Sequence, residues 1–156
     1  MSKVAYVALV AAFVAGPAIA AESGHFRGLA ALSNTNFQII KADDGHPGGA
    51  VMIGEMDGII FNDRKEPFLD NAHYRVIWKG DGRGNSDCFK TFTMPDGDKV
   101  YGVCYGKSVE DGYVGTVELI GGTGKYKGIT GKGKYKVTTV TQRALWDLIE
   151  WDYEIP

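Results

Sequence analysis

The sequence predicts an all-β protein, a single antiparallel β-barrel of about eight strands carrying a hairpin disulfide. Three observations predict it. Residues 21–156 fall into short runs rich in Val, Ile, Tyr, Phe, Trp and Thr, parted by turns of Gly, Asp, Asn and Pro. No window carries a sustained 3.6-residue apolar stripe bounded by helix caps. Cys88 and Cys104 occupy facing positions of one hairpin.

The chain starts with a segment that does not belong to the barrel. Met1-Ser2-Lys3 places one positive charge ahead of an apolar stretch from Val4 to Ala15, followed by Gly16-Pro17 and the small-x-small triplet Ala18-Ile19-Ala20. That order of charge, apolar run and small residues is a secretory signal. The run is shorter than the roughly 20 apolar residues of a membrane span. Residues 1–20 are therefore expected to be a signal peptide cut near Ala20, leaving 21–156 as one domain in a secreted or periplasmic setting. No second long apolar segment follows, so the mature chain is not expected to span a membrane.

Strands are expected near 25–32, 36–41, 50–61, 73–79, 86–94, 98–106, 113–119, 133–141 and 146–155. The segments 43–49, 62–67 and 80–85 read as turns or loops from their Asp, Asn, Gly and Pro content. The last strand has the plainest pattern. Ile149, Trp151, Tyr153 and Ile155 alternate with Glu150, Asp152 and Glu154, which puts the first set on a buried face and the carboxylates in water. Tyr74, Val76 and Trp78 alternate with Arg75 and Lys79 in the same way, with Ile77 left pointing outward. In the 86–106 hairpin, Cys88, Lys90 and Phe92 share one face and Phe89 and Thr91 the other, and the pattern does not say which is inside. So many antiparallel strands must hide their edges, which a closed barrel does completely. A two-sheet sandwich has the same strand spacing.

Met94-Pro95-Asp96-Gly97-Asp98 has the chemistry of a short hairpin loop. Folding the chain about Asp96 sets Phe92 against Val100, Lys90 against Gly102 and Cys88 against Cys104. Facing residues on neighbouring strands have close Cβ atoms, and an oxidising compartment lets the thiols pair. Redox-active pairs usually lie two residues apart, whereas these are 16 apart, so the bond is expected to be structural.

Composition excludes several functions. The chain carries a net charge of −2, and loss of Lys3 with the leader would make it near −3. The only local basic cluster is Lys125, Lys127, Lys132, Lys134 and Lys136. Nucleic-acid binding is not expected without a concentrated positive footprint. The segment Gly128-Ile129-Thr130-Gly131-Lys132-Gly133-Lys134 has the glycine and lysine spacing of a phosphate loop, but Tyr135 stands where Ser or Thr must bind magnesium. The residues that follow are β-formers, so no helix N-terminus is on hand for phosphate.

The glycines of that segment suit turns and bulges of a curved sheet, with Tyr126 and Ile129 covering the barrel end. Gly121-Gly122-Thr123-Gly124-Lys125-Tyr126, with Gly128 and Gly131 following, resembles the GGTG-x-aromatic turn of plant dirigent proteins and allene oxide cyclases. It is more similar still to a GGTGK-aromatic-x-GI-x-G segment of uncharacterised bacterial secreted proteins. The close likeness covers about a dozen residues. A looser one takes in Gly115-Thr116-Val117 and Asp96-Gly97-Asp98-Lys99-Val100. The resemblance implies an eight-stranded, calycin-like barrel whose interior can hold a small, largely apolar molecule. Plant members use that interior to steer a cyclisation or a radical coupling, and they tend to trimerise, so a homo-oligomer (dimer or trimer) is implied as well. None of their catalytic residues maps onto a position here.

No catalytic constellation stands out, and neither a cofactor nor a metal is expected. His25, His46 and His73 lack ligand spacing, and there is no G-x-S-x-G elbow. Asp63, Glu66 and Asp70 lack the pattern of a calcium loop. The aromatic supply remains, 12% of the chain, enough to fill a small barrel or to line a pocket. Tyr74, Trp78, Tyr135, Trp151 and Tyr153 are the candidate lining residues. The function expected is binding of a small apolar or amphipathic molecule. The alternatives are a cyclase or isomerase that uses the cavity as a template, and a non-catalytic interaction protein.

Overall fold

The structure, a computed structural model, describes residues 21–156; the expected leader and its cleavage point at Ala20 lie outside the described residues. Eight strands follow in chain order. They are β1 (Glu22–Lys41), β2 (Ala50–Asn62), β3 (Ala72–Gly80), β4 (Asn85–Thr93), β5 (Lys99–Val109), β6 (Gly112–Gly122), β7 (Thr130–Thr139) and β8 (Ala144–Ile155). A one-turn 3-10 helix spans Gly124–Tyr126. Each strand pairs antiparallel with the next, and β8 returns to β1 to close the barrel. Closure excludes the sandwich. Among the described residues no helix is long and apolar enough to cross a membrane.

One expected boundary is absent. The segments 25–32 and 36–41 are a single strand, because the polar stretch Ser33-Asn34-Thr35-Asn36 forms a bulge against β2 instead of a turn. The bulge has a topological effect. From Gly28 to Ser33, β1 pairs with both β8 and β2; from Asn36 to Lys41 it pairs with β2 alone. The end of β1 thus stands as an arm at one mouth, free on its outer side and carried by β2, whose Met52–Glu55 still pair with β3.

Alternation sets the core. Ile149, Trp151 and Tyr153 of β8 point inward together with Leu145 and Asp147, while Trp146 and Leu148 face out. On β3, Tyr74 and Val76 are buried and Ile77 is exposed. The 86–106 hairpin forms in the expected register, Phe92 against Val100, Lys90 against Gly102 and Cys88 against Cys104. The two cysteines form a disulfide with Cα atoms 4.9 Å apart. The Cys88 face proves to be the inner one, which carries Lys90 into the barrel and leaves Phe89 in solvent.

The barrel is plugged at one end. The loop 63–71 lays Phe68 and Leu69 over it, and the segment 123–129 adds Tyr126 and Ile129. Phe68 packs on Tyr153 at 4.2 Å and on Tyr126 and Phe26 at 5.6 and 5.7 Å between ring centres. The glycine turn is pinned to the 94–98 hairpin. The Lys125 backbone N–H donates to Asp98 Oδ2 at 3.2 Å, and its ammonium donates to Asp96 Oδ2 at 2.8 Å. Gly124 has φ +53° and lies against the Asp98 carboxylate, so a Cβ there would be both strained and in collision.

Candidate functional site

Inward alternation places two opposite charges inside the barrel. Lys90 comes from β4 and Asp147 from β8, on opposite sides of the ring of strands. Both side chains are about 1% exposed, and Lys90 Nζ donates to Asp147 Oδ2 at 2.7 Å. The contact therefore spans the barrel lumen. Tyr74 of β3 completes the cluster: its hydroxyl donates to the same Asp147 oxygen at 2.7 Å and accepts a hydrogen bond from Lys90. The Lys90 ammonium also stands 4.5 Å from the centre of the Tyr135 ring and 5.0 Å from that of Tyr74, within range of a cation–π attraction.

Burial controls the proton affinities here. It pulls the Lys90 amine below its ordinary value, against the opposing pull of the Asp147 charge. It pushes the Tyr74 phenol well up, and the neighbouring Asp147 charge adds to the effect. Burial likewise pushes the Tyr135 phenol up to about 12. Lys90 makes two hydrogen bonds, both within the cluster. Asp147 Oδ1 is buried with no hydrogen-bond partner among the described residues, and the same holds for the indole N–H of Trp78.

A chamber of about 40 Å³ lies against the cluster, walled by Val76, Cys88, Cys104 and Val137 and bearing Lys90, Asp147 and Tyr135. A water needs roughly 10–15 Å³ measured this way, so the chamber suits a head group of a few atoms. Met56, Trp78 and Tyr113 line this chamber and also an open vestibule of about 710 Å³ at the unplugged mouth. These three residues form the throat. The arm contributes Asn36, Phe37 and Met52 to the vestibule, and Phe37 stacks on Trp78 at 5.7 Å between ring centres. Two glycines make room for Tyr135. A Cβ at Gly106 or Gly115 would collide with its ring or hydroxyl, so this part of the sheet is shaped around the phenol.

The five aromatic candidates divide between the two ends of the barrel. Trp78 and Tyr135 line the chamber. Tyr74 lies in the cluster and stacks on Phe92 at 4.5 Å. Trp151 packs on Phe26 at 5.1 Å and Tyr153 on Phe68 at the plugged end, away from the chamber. No local motif in the sequence pairs Lys90 with Asp147. The available signal was parity: Asp147 is in step with Ile149 and Trp151, and Lys90 with Cys88 and Phe92. Among the described residues no three His, Cys, Asp or Glu side chains cluster as a metal site. His25 pairs with Asp152, His73 with Asp57, and His46 accepts from the Gly48 N–H in a loop.

No protein-family model matches the chain, and no curated protein matches it in sequence. Solved structures do. The pterocarpan synthase dirigent protein GePTS1 superposes with a TM-score of 0.57 at 12% identity, over 89% of this chain and 88% of that one. The pterocarpan synthase dirigent protein PsPTS1 superposes at 0.54 and 12% identity, over 86% of this chain and 95% of that one. At this identity the likeness is one of fold, and folds host many functions.

Proposed function

We propose that this protein is a small-molecule-binding barrel of an oxidising compartment, and that its ligand is neutral and amphipathic. The observation that carries the reading is the Lys90–Asp147–Tyr74 cluster beneath an open, largely apolar vestibule. A lone buried lysine would select an anion. Here Asp147 cancels its charge, so a charged ligand gains nothing over water and loses its hydration. A neutral polar end can donate to Asp147 Oδ1 or accept from Lys90, while its apolar body rests on Trp78, Met56 and Phe37. The chamber is too small for a drug-sized molecule, but with the vestibule it reaches the roughly 300–1,000 Å³ of ordinary ligand pockets. Tyr74, Trp78 and Tyr135 belong to this proposed site; Trp151 and Tyr153 do not. The disulfide favours export, because such bonds persist in oxidising compartments.

The test is native mass spectrometry of the protein recovered from a secreted or periplasmic fraction, followed by titration of the recovered compound by isothermal calorimetry. A co-purifying neutral molecule whose binding is lost in Met56→Trp supports the reading. Bare protein that also fails to bind any of a panel of neutral amphipathic compounds refutes it.

A second reading is favoured by the shifted amine. Perturbed ionisable groups in a cavity are a mark of acid–base chemistry, and Lys90 with Asp147 could move a proton on a bound ligand, as a cyclase or isomerase would. Turnover of the recovered compound by the wild type, but not by Asp147→Asn, distinguishes catalysis from binding. Assembly is a separate proposal. Leu29 lies beside Phe61 and Leu148 on the outer wall, and Ala31 beside Ile59 and Trp146. These large side chains are 37–46% exposed, a patch suited to a self-association face. Sedimentation of the wild type and of Phe61→Glu would show it.

A further inference from the structure

We propose that Lys90 captures an apolar aldehyde as a protonated imine, with Asp147 as proton shuttle and then counter-ion. The inference deepens the ligand-binding reading and rests on it. The geometry sets Lys90 apart from the other lysines. Among the described residues every other lysine is exposed, whereas Lys90 is about 1% exposed and lines the chamber. An exposed ammonium stays protonated and hydrated near neutral pH, and so is a poor nucleophile. In the chamber, burial penalises the charged form of the amine. A proton acceptor lies 2.7 Å from Nζ, so the ammonium can pass its proton to Asp147 without water.

The step balances. The Lys90 ammonium gives one proton to the Asp147 carboxylate. The neutral amine adds to the aldehyde carbon as the carbonyl π bond opens, and the nitrogen gives up a second proton to the oxygen, leaving a neutral carbinolamine. Asp147 returns its proton to the hydroxyl, water leaves with the C–O bond pair, and the nitrogen lone pair closes the C=N bond. The sum is aldehyde plus ammonium–carboxylate pair giving iminium–carboxylate pair plus one water, with no oxidant or reductant. The product keeps one positive charge beside one negative charge, as in the resting cluster. Tyr74, whose phenol keeps its proton because burial and the Asp147 charge oppose ionisation, goes on donating to Asp147. The chamber holds the reacting carbon, and the apolar remainder reaches through the Met56–Trp78–Tyr113 throat into the vestibule.

The experiment uses the mature, oxidised protein with hydrocinnamaldehyde as probe and its alcohol as the non-carbonyl control. Brief incubation with the aldehyde is quenched with sodium borohydride, which fixes an imine as an adduct of the aldehyde's mass less one oxygen. Peptide mapping then gives the label at each lysine. Lys90 is expected to carry roughly tenfold or more the label of any exposed lysine, as a lowered amine pKa provides. Asp147→Asn is expected to slow labelling by roughly tenfold or more, the scale of a lost proton-transfer partner. The wild-type map is informative even if a variant fails to fold. Label spread over exposed lysines overturns the proposal. If the alcohol binds by isothermal calorimetry but Lys90 takes no label, imine capture fails and the binding reading stands. If neither compound acts, both fail.

Discussion

Removing one partner of the Lys90–Asp147 pair should cost far more than removing both. In Lys90→Met the Asp147 carboxylate keeps its burial but loses its cation, leaving only the Tyr74 hydroxyl as donor. Breaking a buried pair from one side typically costs about 3–5 kcal/mol. In a domain of this size 1 kcal/mol moves the melting point by roughly 3–4 °C, so the expected loss is about 9–20 °C. Asp147→Leu strands the ammonium and should cost a similar amount. The double variant Lys90→Met/Asp147→Leu leaves no buried charge. Its main remaining penalty is the Tyr74 hydroxyl without an acceptor, about 1–3 kcal/mol. The singles would sum to roughly 6–10 kcal/mol, so the cycle should show a coupling of at least about 3 kcal/mol. Adding Tyr74→Phe should bring the triple variant near the wild type. The assay is urea unfolding followed by far-ultraviolet circular dichroism, accepting only variants with an unchanged m-value. Single-variant effects that add to within about 0.5 kcal/mol would refute the reasoning, since they would mean that the two charges do not depend on each other inside the barrel.

Other outcomes follow from the same geometry. Tyr135 holds its proton up to about 12 in the folded chain against about 10 unfolded. Its raised value supports stability that is full below pH 10 and lost as pH rises through 12, so Tyr135→Phe should flatten alkaline unfolding; a pH series of urea midpoints measures this. Reducing the Cys88–Cys104 bond should cost roughly 3 kcal/mol, the loop-entropy value for a closure of this length, read as a lower urea midpoint in reductant. Met56→Trp narrows the throat and should abolish binding of amphipathic probes at an overpacking cost of about 1–3 kcal/mol, seen as loss of the calorimetric binding signal with folding retained. Gly106→Val should collide with Tyr135, dislodge the phenol from Lys90 and lower both stability and probe affinity, seen in paired melting and titration curves.

The barrel was legible in the sequence because its signals are local. The turn at 94–98 fixed the hairpin register, and the period-two pattern of β8 fixed an inner face. The site was harder because its key pair is 57 residues apart and meets only when the barrel closes. Residues 145–149, Leu-Trp-Asp-Leu-Ile, blur the alternation: apolar residues stand at both parities, and Asp147 reads as an outlier on either face. Alternation puts Lys90 on the Cys88 face, but nothing local says that a lysine goes inside unless its distant carboxylate is known. The aromatic candidates show a similar limit. Alternation tells which side chains point inward, but not how far down the lumen they sit, and depth separates Trp78 from Trp151. The bulge at Asn34–Asn36 also escaped, since a polar run between two apolar ones looks the same whether it turns or merely kinks.

The arm formed by the end of β1 has a consequence for how this protein behaves in a crowd. From Asn36 to Lys41 the outer side of that strand has no neighbour in the sheet, so its outward N–H and C=O groups have no strand partner. Phe37, Ile39 and Ile40 on the same stretch are 49–58% exposed. A closed barrel is protected from strand addition around its waist, and here that protection lapses at the rim of the open mouth. An extended segment of another chain could continue the ladder there, and misassembly at high concentration would begin there first. The terminal Lys41 is the kind of edge charge that discourages such pairing. Its replacement by an apolar residue would make loss to aggregates, rather than unfolding, the first fault to appear on storage.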